Sequence, residues 1–125
     1  MPSPTKSSST TRQQGQQAES LAQHHLEQRG LRFITRNYRC KAGEIDLIMT
    51  DRDSVVFIEV RLRNNPRFGS GAESVDQRKQ RKLTATALHY LQRHPDQAKR
   101  PARFDVVAIS TQQNQADIQW IENAF

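Results

Sequence analysis

The sequence lacks the residues that usually hold small extracellular or zinc-binding proteins together. Its 125 residues include a single cysteine, Cys40, so no intramolecular disulfide can form, and its four histidines lack the spacing of a metal-binding pair. No apolar run approaches the roughly 18 residues that cross a membrane, and the N-terminus has no apolar signal-peptide core. These absences favour a soluble, cytoplasmic protein of one domain, long enough to be stabilised by its own core.

Acidic residues are scarce, and basic residues are concentrated in one part of the chain. Nineteen Lys and Arg against thirteen Asp and Glu give a formal net charge of +6 and a pI near 10.1. Basic residues outnumber acidic ones seven to two between positions 61 and 82: Arg61, Arg63, Arg67, Arg78, Lys79, Arg81 and Lys82 against Glu73 and Asp76. Such an excess in a small domain indicates a polyanionic partner such as nucleic acid.

The N-terminal third predicts a tail followed by one helix. Residues 1–10 are rich in Ser, Thr and Pro, and we expect them to form a disordered tail. A capping box of Thr11 and Gln14 begins a helix that ends before Gly30. Its apolar stripe comprises Ala18, Leu21, Ala22, His25 and Leu26, and Glu19 lies beside this stripe.

The remaining pattern predicts a mixed sheet. Strands are expected over residues 31–40, over a hairpin at 43–63, and over 103–109 and 118–121. A second capping box, Ser74 with Gln77, begins a helix with an apolar face to about His94, and Pro95 and Pro101 bound a linker. This helix can act as a right-handed crossover that makes the fourth strand parallel to the third. The predicted fold class is α/β: a mixed central sheet with an α-β-β-β-α-β core and helices packed on the sheet.

The hairpin carries carboxylates inside two otherwise apolar runs. With a tight turn at 52–53, the register places Asp46 opposite Glu59 and Glu44 opposite Arg61. Facing residues have Cβ atoms about 5 Å apart, so the two like charges repel each other. A hard divalent cation such as Mg²⁺ would offset that repulsion. The other face of the second strand is aliphatic and is predicted to be core: Val56, Ile58, Val60 and Leu62.

Each of these charged features also has a plainer interpretation. Glu44 and Arg61 can form an ordinary cross-strand ion pair, with Asp46 and Glu59 on a solvated face. The loop 64–71 and the start of the second helix can bind phosphate, or they can be a connector and a solvated helix face. The candidate nucleic-acid contacts in and around them are Arg63, Arg67, Arg78, Lys79 and Lys82.

Six short segments together resemble a known family. They are GEIDLI at 43–48, FIEVR at 57–61, RFG at 67–69, RKQRKL at 78–83, RFDVV at 103–107 and IENAF at 121–125. From about Arg12 onward the chain resembles the bacterial YraN family. That family is similar to the PD-(D/E)XK, or restriction-endonuclease-like, superfamily and to archaeal Holliday junction resolvases. The resemblance implies a restriction-endonuclease-like fold and a single nuclease-like domain over residues 11–125.

The resemblance also implies roles for individual residues. Asp46 and Glu59 match the acidic pair of the motif, and Glu19 matches the helix carboxylate that completes the site in resolvase-like members. Mg²⁺ or Mn²⁺ would be held by these three carboxylates and the carbonyl of Val60, and would activate water for attack on a phosphodiester. Arg61 stands where the motif usually has Lys; because a guanidinium stays protonated, it can hold the phosphate but cannot act as a general base.

Two functions are therefore expected as alternatives. The first is a Mg²⁺-dependent endonuclease or resolvase-like enzyme on structured DNA, with Asp46, Glu59 and Arg61 as catalytic residues. The second is a non-catalytic nucleic-acid-binding protein that retains the nuclease fold. A dock for an acidic protein partner is a third, weaker alternative, and a homodimer is compatible with all three.

Overall fold

A computed structural model of the protein describes residues 11–63, 75–112 and 115–125. The elements are α1 (Thr11–Gln28), β1 (Arg32–Cys40), β2 (Gly43–Asp51), β3 (Ser54–Arg63), α2 (Gln77–Gln92), α3 (Pro95–Ala98), β4 (Ala102–Gln112) and β5 (Gln115–Ile121). The predicted tail at 1–10, the loop at 64–71 with Arg67, and Ser74 lie outside the described residues. None of the helices in the described ranges is long and apolar enough to cross a membrane.

The strands form one mixed sheet in the order β1-β2-β3-β4-β5. Strands β3 and β4 pair in parallel and the other neighbours pair antiparallel. The parallel pair follows from the α2 crossover, since two parallel strands need a long connection between them. The predicted mixed α/β fold with its α-β-β-β-α-β order is confirmed.

Helices α1 and α2 cover opposite faces of this sheet. The core on the α1 face contains Ala18, Ala22, Leu26, Leu47, Met49, Val56, Ile58, Val107 and Ile109. The core on the α2 face contains Ile45, Ile48, Val55, Phe57, Leu83, Ala87, Tyr90 and Val106. The predicted aliphatic core face of β3 is buried at Val56 and Ile58 but not at its end, where Leu62 is 44% exposed. The other face is core as well, because Val55 and Phe57 are as buried as Val56 and Ile58.

The buried apolar stripe of helix α1 is narrower than predicted. Ala18, Ala22 and Leu26 recur every four residues and are buried, whereas Leu21 is 41% exposed. The helix ends at Gln28, and Gly30 follows with a φ of +98°. This conformation allows the Leu31 N–H to donate to the Leu26 carbonyl, which is the hydrogen bond of a Schellman motif. The buried stripe is therefore a single row of residues along the helix, formed by two alanines and one leucine.

Helix α2 and its flanks differ from the prediction at three points. The predicted capping box of Ser74 is wrong, because the helix begins at Gln77 and the Asp76 side chain caps it by accepting from the Lys79 N–H at 2.8 Å. The apolar face predicted for this helix includes Leu88, which is 54% exposed. The predicted linker after Pro95 contains the short helix α3, which proline suits because the first helical N–H has no partner anyway.

The register of the β2–β3 hairpin is correct around its turn and stops early. Pairs run from Asp51–Ser54 to Leu47–Ile58 as predicted, with Arg52 at φ +57° in the turn. The paired ladder does not extend to Asp46 and Glu59. The β2 side chains also change faces here, because Leu47 belongs to the α1 core and Ile45 to the α2 core although they are two residues apart. Asp46 therefore lies at a break in the strand.

Glycine at position 43 allows the start of β2 to lie against α2. Its φ is +156°, and a Cβ there would lie 3.2 Å from the Oγ1 atom of Thr86. Thr86 is fully buried and donates to the Lys82 carbonyl at 2.8 Å, so it has little freedom to move. Strand β2 can therefore contact helix α2 at this point because Gly43 has no side chain.

Gly43→Ala should destabilise the protein, because the added methyl group would lie 3.2 Å from Thr86 Oγ1, which must then shift, and because a φ of +156° is unfavourable for a residue with a side chain. We expect a loss of about 1–3 kcal/mol in the free energy of unfolding, measured by urea denaturation. Gly15→Ala is the matched control: it lies in α1 with open space around its Cβ, and it should stabilise by up to about 1 kcal/mol. An unchanged Gly43→Ala midpoint would contradict this packing.

Candidate functional site

The break in β2 turns the Asp46 side chain toward β3. The Val60 backbone N–H donates to Asp46 Oδ2 at 2.8 Å, so a carboxylate takes the place that a backbone carbonyl has in a regular ladder. This brings Asp46 beside Glu59, close enough for a hydrogen bond between the two side chains. The predicted pair of carboxylates is therefore formed, through a side-chain contact rather than a ladder pair.

The environment of Asp46 favours its neutral form. Burial raises its pKa to about 8, and the negative charges of Glu59 and Glu19 and the hydrogen bond with Glu59 add to this, against the lowering effect of the Val60 N–H. A cation placed beside Asp46 and Glu59 would favour the ionised form of Asp46 and so displace its proton. Asp46 is thus a candidate functional residue on electrostatic as well as geometric grounds.

Two cations contact Glu59, which is 6% exposed. Lys79 Nζ lies 2.5 Å and Arg61 Nη1 lies 3.4 Å from the same oxygen, Glu59 Oε2. Arg61 comes from the same face of β3, two residues on, while Lys79 comes from the first turn of α2. Asp76 caps the backbone of Lys79 and so fixes the turn that carries it. The sequence pointed to Arg61 as the cation of the site but gave Lys79 only a role in binding DNA.

Glu19 lies near this pair without completing a metal cluster. Its Oε1 pairs with Arg36 Nη2 at 3.6 Å, and its charge contributes to the raised pKa of Asp46. Across residues 11–63, 75–112 and 115–125, no three His, Cys, Asp or Glu side chains are grouped so that they could hold one metal ion. The structure brings Asp46 and Glu59 together, and it places Glu19 on α1 where its charge acts on Asp46.

The donor set nevertheless fits a hard divalent cation. Two adjacent carboxylates supply the oxygen ligands that Mg²⁺ and Mn²⁺ prefer. The repulsion that raises the pKa of Asp46 would be relieved by a cation between Asp46 and Glu59. Val60 follows Glu59 directly, so its backbone belongs to the same short segment of β3.

A cavity of about 520 Å³ opens onto the two carboxylates. Its acidic lining residues are Glu44, Asp46, Glu59 and Asp76, and its basic ones are Arg78, Lys79 and Lys82 from α2. Three of the carboxylates come from strands β2 and β3, whereas Asp76 and the three cations come from the start of helix α2. A cavity lined by both carboxylates and basic side chains can accommodate a cation together with an anionic group.

The other predicted site residues have different surroundings. Glu44 forms its ion pair with Arg39, its ladder partner in β1, at 3.3 Å, while Arg61 turns toward Glu59. Arg63 is a partly buried residue at the end of β3, and Arg67 lies outside the described residues. Sequence reasoning gave no role to Asn37, although an Asn inside a strand of arginines and aromatics is a signal of an unusual backbone.

The raised pKa of Asp46 predicts how stability changes with pH. Unfolded Asp46 releases its proton near pH 4 and the folded one near pH 8, so its stabilising contribution is complete below about pH 4 and is lost as the pH rises through 8. Asp46→Asn keeps an acceptor for Val60 but never ionises. In metal-free buffer we expect it to gain stability over wild type by up to about 1 kcal/mol per pH unit between pH 5 and 8.

Urea denaturation at several pH values in the presence of a chelator measures this difference. Asp53→Asn serves as the control, because Asp53 is an exposed carboxylate in the turn of the same hairpin. Parallel pH profiles for wild type and Asp46→Asn would show that Asp46 titrates normally.

The chain matches a known family over most of its length. Residues 18–109 match the family described as "Uncharacterised protein family UPF0102". A UPF0102 protein of Nitrosococcus oceani is 52% identical over 116 residues, which cover 93% of this chain and 94% of the relative. One from Stutzerimonas stutzeri is 50% identical over 117 residues, covering 94% and 98%. The predicted YraN resemblance is confirmed, and the chain belongs to the UPF0102 (YraN) family.

Proposed function

We propose that the protein is a Mg²⁺-dependent endonuclease or resolvase-like phosphodiesterase that acts on structured DNA. One observation carries the proposal: the Asp46–Glu59 pair lies on a cavity that basic residues of α2 also line. Paired carboxylates suit a hard cation, and the basic side suits the phosphates of a nucleic acid. The net charge of +6 supports the same class of substrate.

The acidic residues hold the cation in this proposal. Asp46 and Glu59 are its main ligands, with Glu19 and the carbonyl of Val60 completing the set. When bound, Mg²⁺ or Mn²⁺ supplies two effects, a lowered pKa for a bound water and neutralisation of charge on the scissile phosphate. The hydrogen bond from the Val60 N–H keeps the Asp46 carboxylate beside Glu59.

The two cations on Glu59 have different roles. Arg61 stays protonated and presents a planar fork of donors, so it binds phosphate oxygens. Lys79 can release and accept a proton, which Arg61 cannot, and its Nζ atom already lies at the site. We therefore assign proton exchange to Lys79. Arg63, Arg67, Arg78 and Lys82 are proposed to bind the DNA backbone.

A second candidate is supported by the same cations. Lys79 and Arg61 already compensate the charge of Glu59 without any metal, as in a structural ion-pair cluster. The protein would then bind nucleic acid through its basic residues and cleave nothing. The two functions differ in one respect that can be measured directly, namely whether Asp46 is needed for a metal-dependent reaction.

Cleavage of branched, nicked and linear DNA, with Mg²⁺, with Mn²⁺ and with a chelator, tests the first function. We expect cleavage that needs the metal, and a loss of about 100-fold or more in Asp46→Ala and Glu59→Gln, because each removes a ligand of the cation. Asp53→Ala should cleave like wild type. DNA binding should persist in all of them.

The opposite result selects the second candidate. Wild-type protein that binds DNA but cleaves none of these substrates with either metal, and whose binding is unchanged in Asp46→Ala, is a binding protein. Cleavage that persists in Asp46→Ala would indicate a contaminating nuclease or a site elsewhere in the chain.

Two lysines of α2 separate catalysis from binding. Lys79→Ala should lower the cleavage rate at saturating DNA by about 100-fold, because it removes the group assigned to proton exchange. Lys82→Ala, three residues away on the same cavity, should weaken DNA binding and reduce the salt dependence of the affinity by about one unit of slope. Single-turnover rates and binding isotherms at several salt concentrations measure both. Equal effects of the two variants would contradict the division.

A further inference from the structure

Asn37 lies opposite Asp46, where strands β1 and β2 both depart from regular geometry. Ladder pairs Arg36–Leu47 and Tyr38–Ile45 flank these two residues, and Asn37 has a φ of +56°. This left-handed conformation is unfavourable for most side chains and is tolerated by Gly, Asn and Asp. An unusual backbone conformation beside a candidate site is a reason to ask what its side chain does.

The Asn37 amide joins two carboxylates from different elements. With its nitrogen turned toward them, the amide lies 3.2 and 3.3 Å from the two oxygens of Glu19 on α1 and 3.0 Å from Glu44 Oε2 on β2. One NH₂ group has two hydrogens, so it can serve both carboxylates at once. Glu19 and Glu44 are thus held by the same neutral donor.

The break in the strand makes this contact achievable. Arg36 reaches α1, where it pairs with Glu19 and bonds to Ser20 Oγ and the Gln16 carbonyl. In a regular strand the next residue, Asn37, would point to the other face of the sheet. Both residues nevertheless contact Glu19, because the left-handed backbone at Asn37 interrupts the alternation. The unusual conformation therefore has a consequence at the site.

We propose that Asn37 is a positioning residue whose amide holds the Glu19 carboxylate beside Asp46 as part of the cation site. This inference rests on the proposed function and deepens it, because it assigns a partner to the third carboxylate. A ligand's hydrogen-bonding partner fixes its orientation and affects metal affinity without touching the metal. Arg36 already pairs with Glu19 Oε1 at 3.6 Å, and the Asn37 amide adds a contact to both Glu19 oxygens that carries no charge and does not compete with a cation.

The alternative is that Asn37 only satisfies the backbone conformation. Glycine distinguishes the two roles, because it adopts a φ of +56° freely but has no amide. Asn37→Gly should therefore fold as wild type does and still lose whatever the side chain contributes at the site. Glu19→Gln provides a second, independent variant: it keeps an oxygen for Asn37 to bond but removes the charge.

Calorimetric titration of the full chain with Mn²⁺ alone tests the proposal. We expect about 10-fold or greater weakening of the dissociation constant in Asn37→Gly and in Glu19→Gln, and no binding in Asp46→Asn. Because Asn37 acts through Glu19, the double variant Asn37→Gly/Glu19→Gln should bind no more weakly than Glu19→Gln alone. Circular dichroism melts check that every variant is folded.

Each other outcome is decisive. Wild-type affinity in Asn37→Gly, or a further loss when it is added to Glu19→Gln, overturns the positioning role while leaving the Asp46 metal site intact. Asn37→Gly protein that does not fold shows that the amide serves the fold and also overturns it. Absence of Mn²⁺ binding in wild type, or its persistence in Asp46→Asn, removes the proposed metal site and this inference together.

Discussion

The hydrogen bond between the Val60 N–H and Asp46 is the contact on which the arrangement of the site depends. The ladder between β2 and β3 ends at Leu47–Ile58, and a buried N–H left without an acceptor costs about 1–3 kcal/mol. The Asp46 carboxylate supplies the missing acceptor at 2.8 Å. In this position Asp46 also lies next to Glu59. The fold thus gains a hydrogen bond, and the repulsion between the two carboxylates raises the pKa of Asp46.

Helix α2 shows how the tertiary structure compensates a locally unfavourable sequence. Basic side chains in the first turn of a helix oppose the positive end of its dipole, and Arg78 and Lys79 stand there. Asp76 offsets part of this by capping the helix, and Lys79 directs its ammonium group at Glu59 across the gap to β3. Lys79 is unfavourable for its own helix but contacts a buried carboxylate on β3. Its position is therefore better explained by this contact than by the stability of the helix.

The sequence was sufficient to predict the parts of the fold that depend on local pattern. Alternating apolar residues and the turn at 52–53 placed the hairpin in its correct register, and the crossover rule predicted the parallel pairing of β3 with β4. The strand break at Asn37 and Asp46 was not predictable in this way. It interrupts the strict alternation of side chains on which such a prediction rests, and Asn37 adopts a φ of +56° there.

The same limit applies to the site. The spacing of Asp46 and Glu59 was visible in the sequence because both lie in apolar runs of one hairpin. Lys79 and Asn37 come from elsewhere in the chain, and only the docking of α2 on one face and the break in β1 bring them to the carboxylates. The exposure of Leu21 and Leu88 was not predicted for a related reason. The spacing of apolar residues shows which side of a helix faces the sheet, but it does not show how many of them the sheet covers.

A second buried aspartate in the same sheet shows what a purely structural carboxylate looks like here. Asp105 is fully buried, and its oxygens accept from the Arg103 guanidinium, Trp120 Nε1 and the Asn123 N–H at 2.9–3.2 Å. These donors tie the C-terminal residues to β4, and a buried charge paired in this way needs nothing further from outside the protein.

Asp46 has the opposite surroundings. It receives the Val60 N–H, but its charged neighbours Glu59 and Glu19 are carboxylates, and together with burial they raise its pKa to about 8. A fold that needed only a buried acceptor for Val60 would be served equally well by a neutral amide, without any repulsion. The stability of the sheet alone therefore does not explain a carboxylate at this position, and the proposed cation site gives it a role.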